Sequence, residues 1–428
     1  MRLIAALSAL ALLSPLAAGA QSDPVLDSRR AAQAAIHAYQ AHDYPSFLAH
    51  AKEAERLRPA HGGAIYNLAC AYALTGDTAA ALAMLNRYAS LGYLADVAAD
   101  SDLAALRGTA GLEQVRQRLA RNKAPLVRSA VAFTLPENDL LTEGIAYDPK
   151  EKTFYLGSVH HRKIIRVDHA ARVSDFVTEG RDSLWAPLGM RVDPVRRVLW
   201  VAVSALPQMT GFALSDSGRS ALFRYDLASG RLTGRFLVPP EGAEHALGDV
   251  TISSRGDVYA SDSRSPAIYR VRAGADSLER FLTSPLLLSA QGMALTPDER
   301  TMYLADYSRG ILRIDLTSRA VTLLPTSTNV LALGIDGLYL VGGRLVGIQN
   351  GVEPHRVVRL TLSTAGDSIT ASEVLERAHP RYAEPTLGVI VGRDLCYVAN
   401  SQWERFGEDG RIADSSALLP PTVLRLRL

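Results

Sequence analysis

Apolar and polar positions between residues 142 and 426 fall into short runs of strand type broken by turn chemistry, and residues 291–315 show the unit most clearly. There, residues 292–295 and 302–305 are two such runs, separated by the polar turn Pro297-Asp298-Glu299-Arg300. Ser308-Arg309-Gly310 turns the chain again before a third run, Ile311-Leu312-Arg313-Ile314. Together these make most of one four-stranded propeller blade.

The third run follows a pattern, apolar-apolar-Arg-apolar, that can be counted. It occurs six times, around Arg166, Arg224, Arg270, Arg313, Arg359 and Arg425. A glycine-led first strand precedes each, at Gly144, Gly189, Gly248, Gly292, Gly337 and Gly388, with intervals of 45, 59, 44, 45 and 51 residues. One such unit cannot cover both its faces, so the pattern predicts six blades packed around an axis. Residues 131–135 read as a strand without a partner of its own, while the last blade runs out of chain after Arg425. We expect 131–135 to supply the missing outer strand and close the ring, which removes exposed strand edges. The arginines of the repeated motif are expected to point between or outside the blades and pair with acids there.

Residues 24–122 differ in kind: they are alanine-rich, with apolar positions at helical spacing. Residues 31–40 and 45–57 read as one antiparallel helix pair and 64–74 and 78–90 as a second, with 101–119 as a closing pair. Asp43 and Asp77, in the two inter-helix turns, lie 34 residues apart, the tetratricopeptide period. The expected architecture is therefore multidomain: an all-β six-bladed propeller (131–428) preceded by a tetratricopeptide-like α-helical domain (24–122) and a linker (123–130). Such helical repeats present a concave surface suited to a peptide or protein partner.

The start of the chain reads as a secretory signal: Arg2, an apolar run over 3–13, and Ala18-Gly19-Ala20 before the expected cut after Ala20. It places the mature protein in a secreted or periplasmic setting. The apolar window 329–348 contains Asp336, Arg344 and five glycines, so it reads as two strands and a turn rather than a membrane span. A formal net charge of +2 and the absence of any Lys/Arg block argue against nucleic acid as a partner. Cys70 and Cys396 are expected to be two buried free thiols. No G-x-S-x-G, H-E-x-x-H, C-x-x-C or phosphate-cradling glycine loop is present.

Four landmarks remain: Thr142-Glu143-Gly144-Ile145-Ala146-Tyr147-Asp148; Gly248-Asp249-Val250 with Arg255-Gly256-Asp257; Gln291-Gly292-Met293 with Thr296-Pro297-Asp298; and Ile335-Asp336-Gly337-Leu338. In sequence and spacing they resemble the regucalcin/gluconolactonase family. That resemblance implies a six-bladed propeller with one divalent cation on its axis, among relatives that hydrolyse lactones and phosphotriesters. The family's cation is held by a Glu, two Asn and an Asp at the starts of four inner strands, an oxygen set that suits a hard cation. Carried over, Glu143 matches the Glu, and Asp336 matches the Asp that also serves as general base. Gln291 stands where one Asn belongs, and Gly248 stands where the other belongs and offers no side chain.

The resemblance thus implies a cation, Ca²⁺ first with Zn²⁺ or Mg²⁺ as alternatives, on Glu143, Gln291 and Asp336, with a small-molecule substrate at the mouth. The plainer alternatives are a polar strand start for Glu143 and an ordinary turn pair for Asp336-Gly337. Asp249 is either a further acid at the axis or a strand-start Asp bonding a nearby amide. The long loops 205–220 and 401–422 are expected to cover the mouth, bringing Met209, Phe212 and Trp403. His160, His161 and His355, in shorter loops of that face, are candidates for substrate contact or proton transfer. Two functions stay open: a metal-dependent lactone or ester hydrolase, and a non-catalytic ligand- or protein-binding propeller with a helical adaptor.

Overall fold

The computed structural model describes residues 23–239 and 242–428; the expected signal segment lies outside them. The chain divides into two compact units: the described residues up to Ala124 together with Ser327–Leu331, and Pro125–Thr326 with Ala332–Leu428.

The first unit is helical: α1 Pro24–Gln40, α2 Tyr44–Leu57, α3 Gly62–Leu74, α4 Thr78–Ser90 and α5 Ala110–Lys123. Asp43 and Asp77 do the same local work in successive pairs. Each caps the helix that follows, accepting from Ser46 N at 3.1 Å and from Ala80 N at 3.0 Å. Ile65, Leu68, Ala69 and Leu85 lie in its buried interior. The expected closing helix pair is corrected in its first half. Ser101–Leu106 is a six-residue 3₁₀ helix, tied down by Tyr66 donating to Asp100 at 2.8 Å and Tyr39 donating to Asp102 at 3.0 Å. Two residues separate it from the α5 cap Thr109, too few for a second helix.

The second unit is a propeller of six four-stranded antiparallel sheets. Five blades are built from consecutive strands, with innermost strands Thr142–Asp148, Ala186–Asp193, Leu247–Ile252, Ala290–Leu295 and Ile335–Val341. The sixth begins at Gly388–Val391, and its outer strand comes from the other end of the propeller sequence: Ala130–Thr134 pairs antiparallel with Thr422–Arg427. Window 329–348 holds the strand Ile335–Val341 and the start of Arg344–Gln349, with a turn between. Among the described residues no helix is long and apolar enough to cross a membrane.

The closure is pinned by a buried carboxylate. Glu376, at 0% exposure, accepts from the backbone N–H of Arg128 and of Ser129, both at 2.9 Å, from the Ser129 hydroxyl at 2.8 Å, and from Tyr397 Oη at 2.5 Å. A buried charge is tolerated when its lone pairs are this fully used.

The arginines of the repeated motif divide into two groups. Arg270, Arg359 and Arg425 pair with Glu279, Glu373 and Asp394. Arg166, Arg224 and Arg313 instead donate to the hydroxyls of Ser174, Thr233 and Thr301, which corrects the expectation of acids throughout. Their neighbours across the blade carry hydroxyls, and a guanidinium also gains from resting on rings: Arg224 lies over Trp200 and Phe236. Cys70 and Cys396 are both free and buried.

Candidate functional site: an axial ring of bulge residues

Five of the six innermost strands break register with their neighbours at the same place. The slips fall between Thr142 and Ile145, Pro187 and Met190, Leu247 and Val250, Ala290 and Met293, and Ile335 and Leu338. A bulge leaves one residue unpaired and re-aims its side chain. The residues so freed are Glu143, Leu188, Gly248, Gln291 and Asp336, and the sixth blade presents Leu387 just before its inner strand. All six, with Asp249, line one cavity of about 270 Å³.

Crowding at the axis explains the glycine that follows these positions in every blade but the third, where Asp249 follows Gly248. A β carbon on Gly144 would stand 1.9 Å from the Leu188 carbonyl oxygen, and one on Gly292 would stand 2.4 Å from Leu338 N. Neighbouring inner strands therefore approach more closely than any side chain allows. Gly248 is different, since its β carbon would meet only Gln291 Oε1 at 3.5 Å and Ser261 Oγ at 3.9 Å, both ordinary contacts.

Oxygen donors enter the ring from blades one, four and five, while blades two and six contribute leucine. Glu143 accepts from the Trp403 indole N–H at 2.7 Å. Asp336, 8% exposed, accepts from Asn350 Nδ2 at 2.9 Å, and Tyr307 Oη donates to Asn350 Oδ1 at 3.1 Å. Neither acid is paired with a Lys or Arg among the described residues. Asp249 is buried and faces Arg191, 3.8 Å away, while accepting a long bond of 3.4 Å from Met293 N. Asp249 thus lines the cavity and bonds an amide of the fourth inner strand, far from it in sequence.

These acids push one another upward. Burial away from water lifts the Asp336 carboxyl to about 7, against the Asn350 bond and helped by the charges of Asp249 and Glu384. Glu143 is raised well above the usual range by burial and then by Asp336, with the Trp403 N–H pulling the other way. Burial raises Asp249 too, with Arg191 opposing. Glu384, just ahead of the sixth inner strand, is lifted to about 7 by burial and by Glu404. Negative charge gathered out of water, with neutral donors on Glu143 and Asp336, is an environment that positive charge would relieve.

Loops 205–220 and 401–422 reach this cavity, the first through Leu206 and Gln208 and the second through Trp403. Met209, Phe212, Trp403 and Phe406 share one apolar cluster beside it. The three histidines do not line it. His160 is buried, with Nδ1 on the Gln208 carbonyl at 2.8 Å and its ring against Phe406. His161 sits between Asp139, 3.1 Å from Nε2, and Glu179, 3.5 Å from Nδ1. His355 pairs with Glu353 at 3.4 Å. Local acids and carbonyls have captured rings that the sequence alone leaves free to face the mouth.

Asn350, Tyr307 and Glu384 are site residues that sequence reasoning missed. Asn350-Gly351 reads as a turn pair, and Tyr307 lies in the loop after a second strand. Two sets of three ligand atoms lie within 4.8 Å of one another among the described residues, at Cys70/Asp100/Asp102 and Glu137/Asp139/His161. Both are engaged: the first by Tyr66 and Tyr39, the second by Lys163 on Glu137 at 2.7 Å.

Residues 141–328 match the sequence model described as the SMP-30/Gluconolactonase/LRE-like region. No curated protein matches the chain. Among solved structures it is similar to a gluconolactonase from Xanthomonas campestris (13% identity over 71% of this chain and 96% of that one, TM-score 0.48). It is also similar to the calcium-binding protein regucalcin from Agrobacterium tumefaciens (16%, 69% and 93%, 0.48) and to virginiamycin B lyase from Staphylococcus aureus (15%, 69% and 83%, 0.46). The chain carries an SMP-30/gluconolactonase/LRE-like region within a six-bladed β-propeller.

Proposed function

We propose that the propeller is a divalent-cation-dependent hydrolase of lactone or ester bonds that works in the axial cavity. The observation that carries this reading is the bulge ring itself, which sets Glu143, Gln291 and Asp336 around one cavity with both acids bonded only to neutral donors. Glu143, Gln291 and Asp336 would hold the cation, with water completing its shell. An all-oxygen set suits Ca²⁺ or Mg²⁺ better than Zn²⁺, which favours His and Cys. When bound, the cation supplies a Lewis acid for the carbonyl oxygen of the substrate.

Asp336 is the proton acceptor in this reading. Asn350 occupies its Oδ2 and is itself fixed by Tyr307, which leaves Oδ1 for a water. The water oxygen bonds to the carbonyl carbon as its proton passes to Asp336. The C–O bond of the lactone or ester then breaks, and the leaving oxygen takes that proton back. Leu188, Leu206, Leu387 and Trp403 give the substrate an apolar wall, with Gln208, Ser263 and Arg264 at polar positions around it. The signal-like segment 1–20 supports a secreted or periplasmic setting for this chemistry.

A second reading is favoured by Gly248, which offers no side-chain ligand at its own ring position: a propeller that binds its ligand without turnover, with the helical unit as an adaptor for a peptide. A panel of lactones and aryl esters, assayed with and without chelator, separates the two. Hydrolysis lost on chelation and lost again in Asp336→Asn supports the first. Cation binding with no hydrolysis in any member of the panel would establish the second.

A further inference from the structure

Trp403 stands out because its indole N–H is spent on an acid of the axial ring. Its indole N–H donates to Glu143 Oε2 at 2.7 Å, and its backbone N–H favours the ionised form of the Glu384 carboxyl. The two acids reach it from different blades. Glu143 sits in the bulge of the first inner strand, and Glu384 precedes the sixth.

The backbone around Trp403 is built to keep this arrangement. Glu384 and Gln402 both adopt left-handed φ, +65° each, which is uncommon for residues with side chains. Their two segments are locked together: Ser401 N and Ser401 Oγ donate to the Glu384 carbonyl at 3.1 and 2.9 Å, and Gln402 N donates to the Ala383 carbonyl at 3.1 Å. Gln402 Nε2 and Oε1 then bond Leu419 O and Leu419 N, at 2.9 and 2.8 Å, closing the base of loop 401–422. Thr386 Oγ1 donates to the Glu143 carbonyl at 3.0 Å, tying the same two blades from below. The ring of Trp403, meanwhile, packs against the mouth cluster of Leu206, Met209 and Phe406.

We propose that Trp403 is a positioning residue that couples loop 401–422 to cation binding: it fixes Glu143 for the cation, and the cation in turn fixes the loop over the mouth. This rests on the cation reading given above. With the indole on Oε2, Glu143 has one oxygen, Oε1, left to offer, and its side chain cannot swing out of the ring. Partners of this kind typically change metal affinity by about ten- to a hundredfold. Linkage makes the effect reciprocal, so what the loop does for the cation the cation does for the loop. Loop 401–422 also carries two arginines, Arg405 and Arg411, at which trypsin reports its order.

The test uses the full chain and Ca²⁺ alone as the probe. Trp403→Phe keeps an apolar ring in the mouth cluster and removes the N–H. Calorimetry is expected to show Ca²⁺ affinity in Trp403→Phe lower by about ten- to a hundredfold. In the wild type, which needs no substitution, Ca²⁺ is expected to slow tryptic cleavage at Arg405 and Arg411 severalfold, and to shift the part of the tryptophan emission that is missing from Trp403→Phe. Equal Ca²⁺ affinity in the two proteins, or wild-type cleavage at Arg405 and Arg411 that ignores bound Ca²⁺, would overturn the coupling and leave the cation reading standing. A wild type that binds no Ca²⁺ overturns both.

Discussion

Gln291 Oε1 stands 3.5 Å from the point where a β carbon on Gly248 would lie, so the longer amide of blade four borders the space that the glycine of blade three leaves empty. The two departures from the ligand pattern of the family that the sequence resembles are neighbours in space. Because no backbone crowds Gly248, unlike Gly144 or Gly292, the ring has room for a further side chain there. Gly248→Asn is therefore expected to fold normally and to tighten Ca²⁺ by about tenfold, the equivalent of about 1.4 kcal/mol for one added oxygen ligand. Calorimetry of the variant beside wild type checks this, and weaker binding would mean the empty space is needed.

Asn350 is expected to matter to catalysis more than to folding. It holds Oδ2 of Asp336 and is held by Tyr307, so Asn350→Ala should free the base to rotate. We expect kcat/KM to fall about ten- to a hundredfold, with Tyr307→Phe following in the same direction by a smaller factor. Unchanged kinetics in Asn350→Ala would remove Asp336 from the role of oriented base.

The raised acids make the cation-free protein sensitive to pH in a defined direction. Asp336 and Glu384 sit at about 7 in the fold and would titrate near 4 in the unfolded chain. Between those values the folded state binds more protons than the unfolded one, so stability falls as pH rises from about 4 to 7, and the raised Glu143 carboxyl acts in the same direction. His61, held low at about 4 by burial, acts oppositely below about 6.5, so the comparison must cancel it. In chelator, the drop in Tm between pH 5.5 and pH 8 is expected to be smaller in Asp336→Asn than in wild type, and Ca²⁺ should raise the wild-type Tm more at pH 8. A chelated wild type and variant with parallel Tm profiles would show that Asp336 titrates normally.

Closure of the propeller should depend on Glu376 out of proportion to its single side chain. Four donors end on it, two of them backbone N–H groups of the segment that leads into the outer strand Ala130–Thr134. Glu376→Ala removes the acceptor of all four, the buried Tyr397 hydroxyl among them, and a loss of about 3 kcal/mol is expected in chemical denaturation. A loss under about 1 kcal/mol would mean that water replaces the carboxylate. Detachment of that strand would bare the edge of Thr422–Arg427 and favour association.

The propeller was legible in the sequence because its repeat is enforced by packing. The third strands around Arg166 through Arg425 recur in equivalent sheets, and the glycines recur because inner strands nearly touch at the axis. Glu143, Gln291 and Asp336 were legible only through a resemblance to known proteins, since a bulge position has no periodicity of its own. Their convergence on one cavity follows from the register slips, which a strand pattern does not announce. Glu384 was invisible because its placement depends on a left-handed backbone held by Ser401 and Gln402, far along the chain. The histidines at 160, 161 and 355 drew attention by residue type, yet each is taken up by a carbonyl or carboxylate beside it.

Metal content measured on the purified protein tests the central claim most directly. At neutral pH the wild type is expected to retain one divalent cation per chain after dialysis against trace Ca²⁺, and Asp336→Ala to retain none. A wild type that emerges metal-free under those conditions, or an Asp336→Ala protein that holds as much as wild type, would contradict the placement of a cation among Glu143, Gln291 and Asp336.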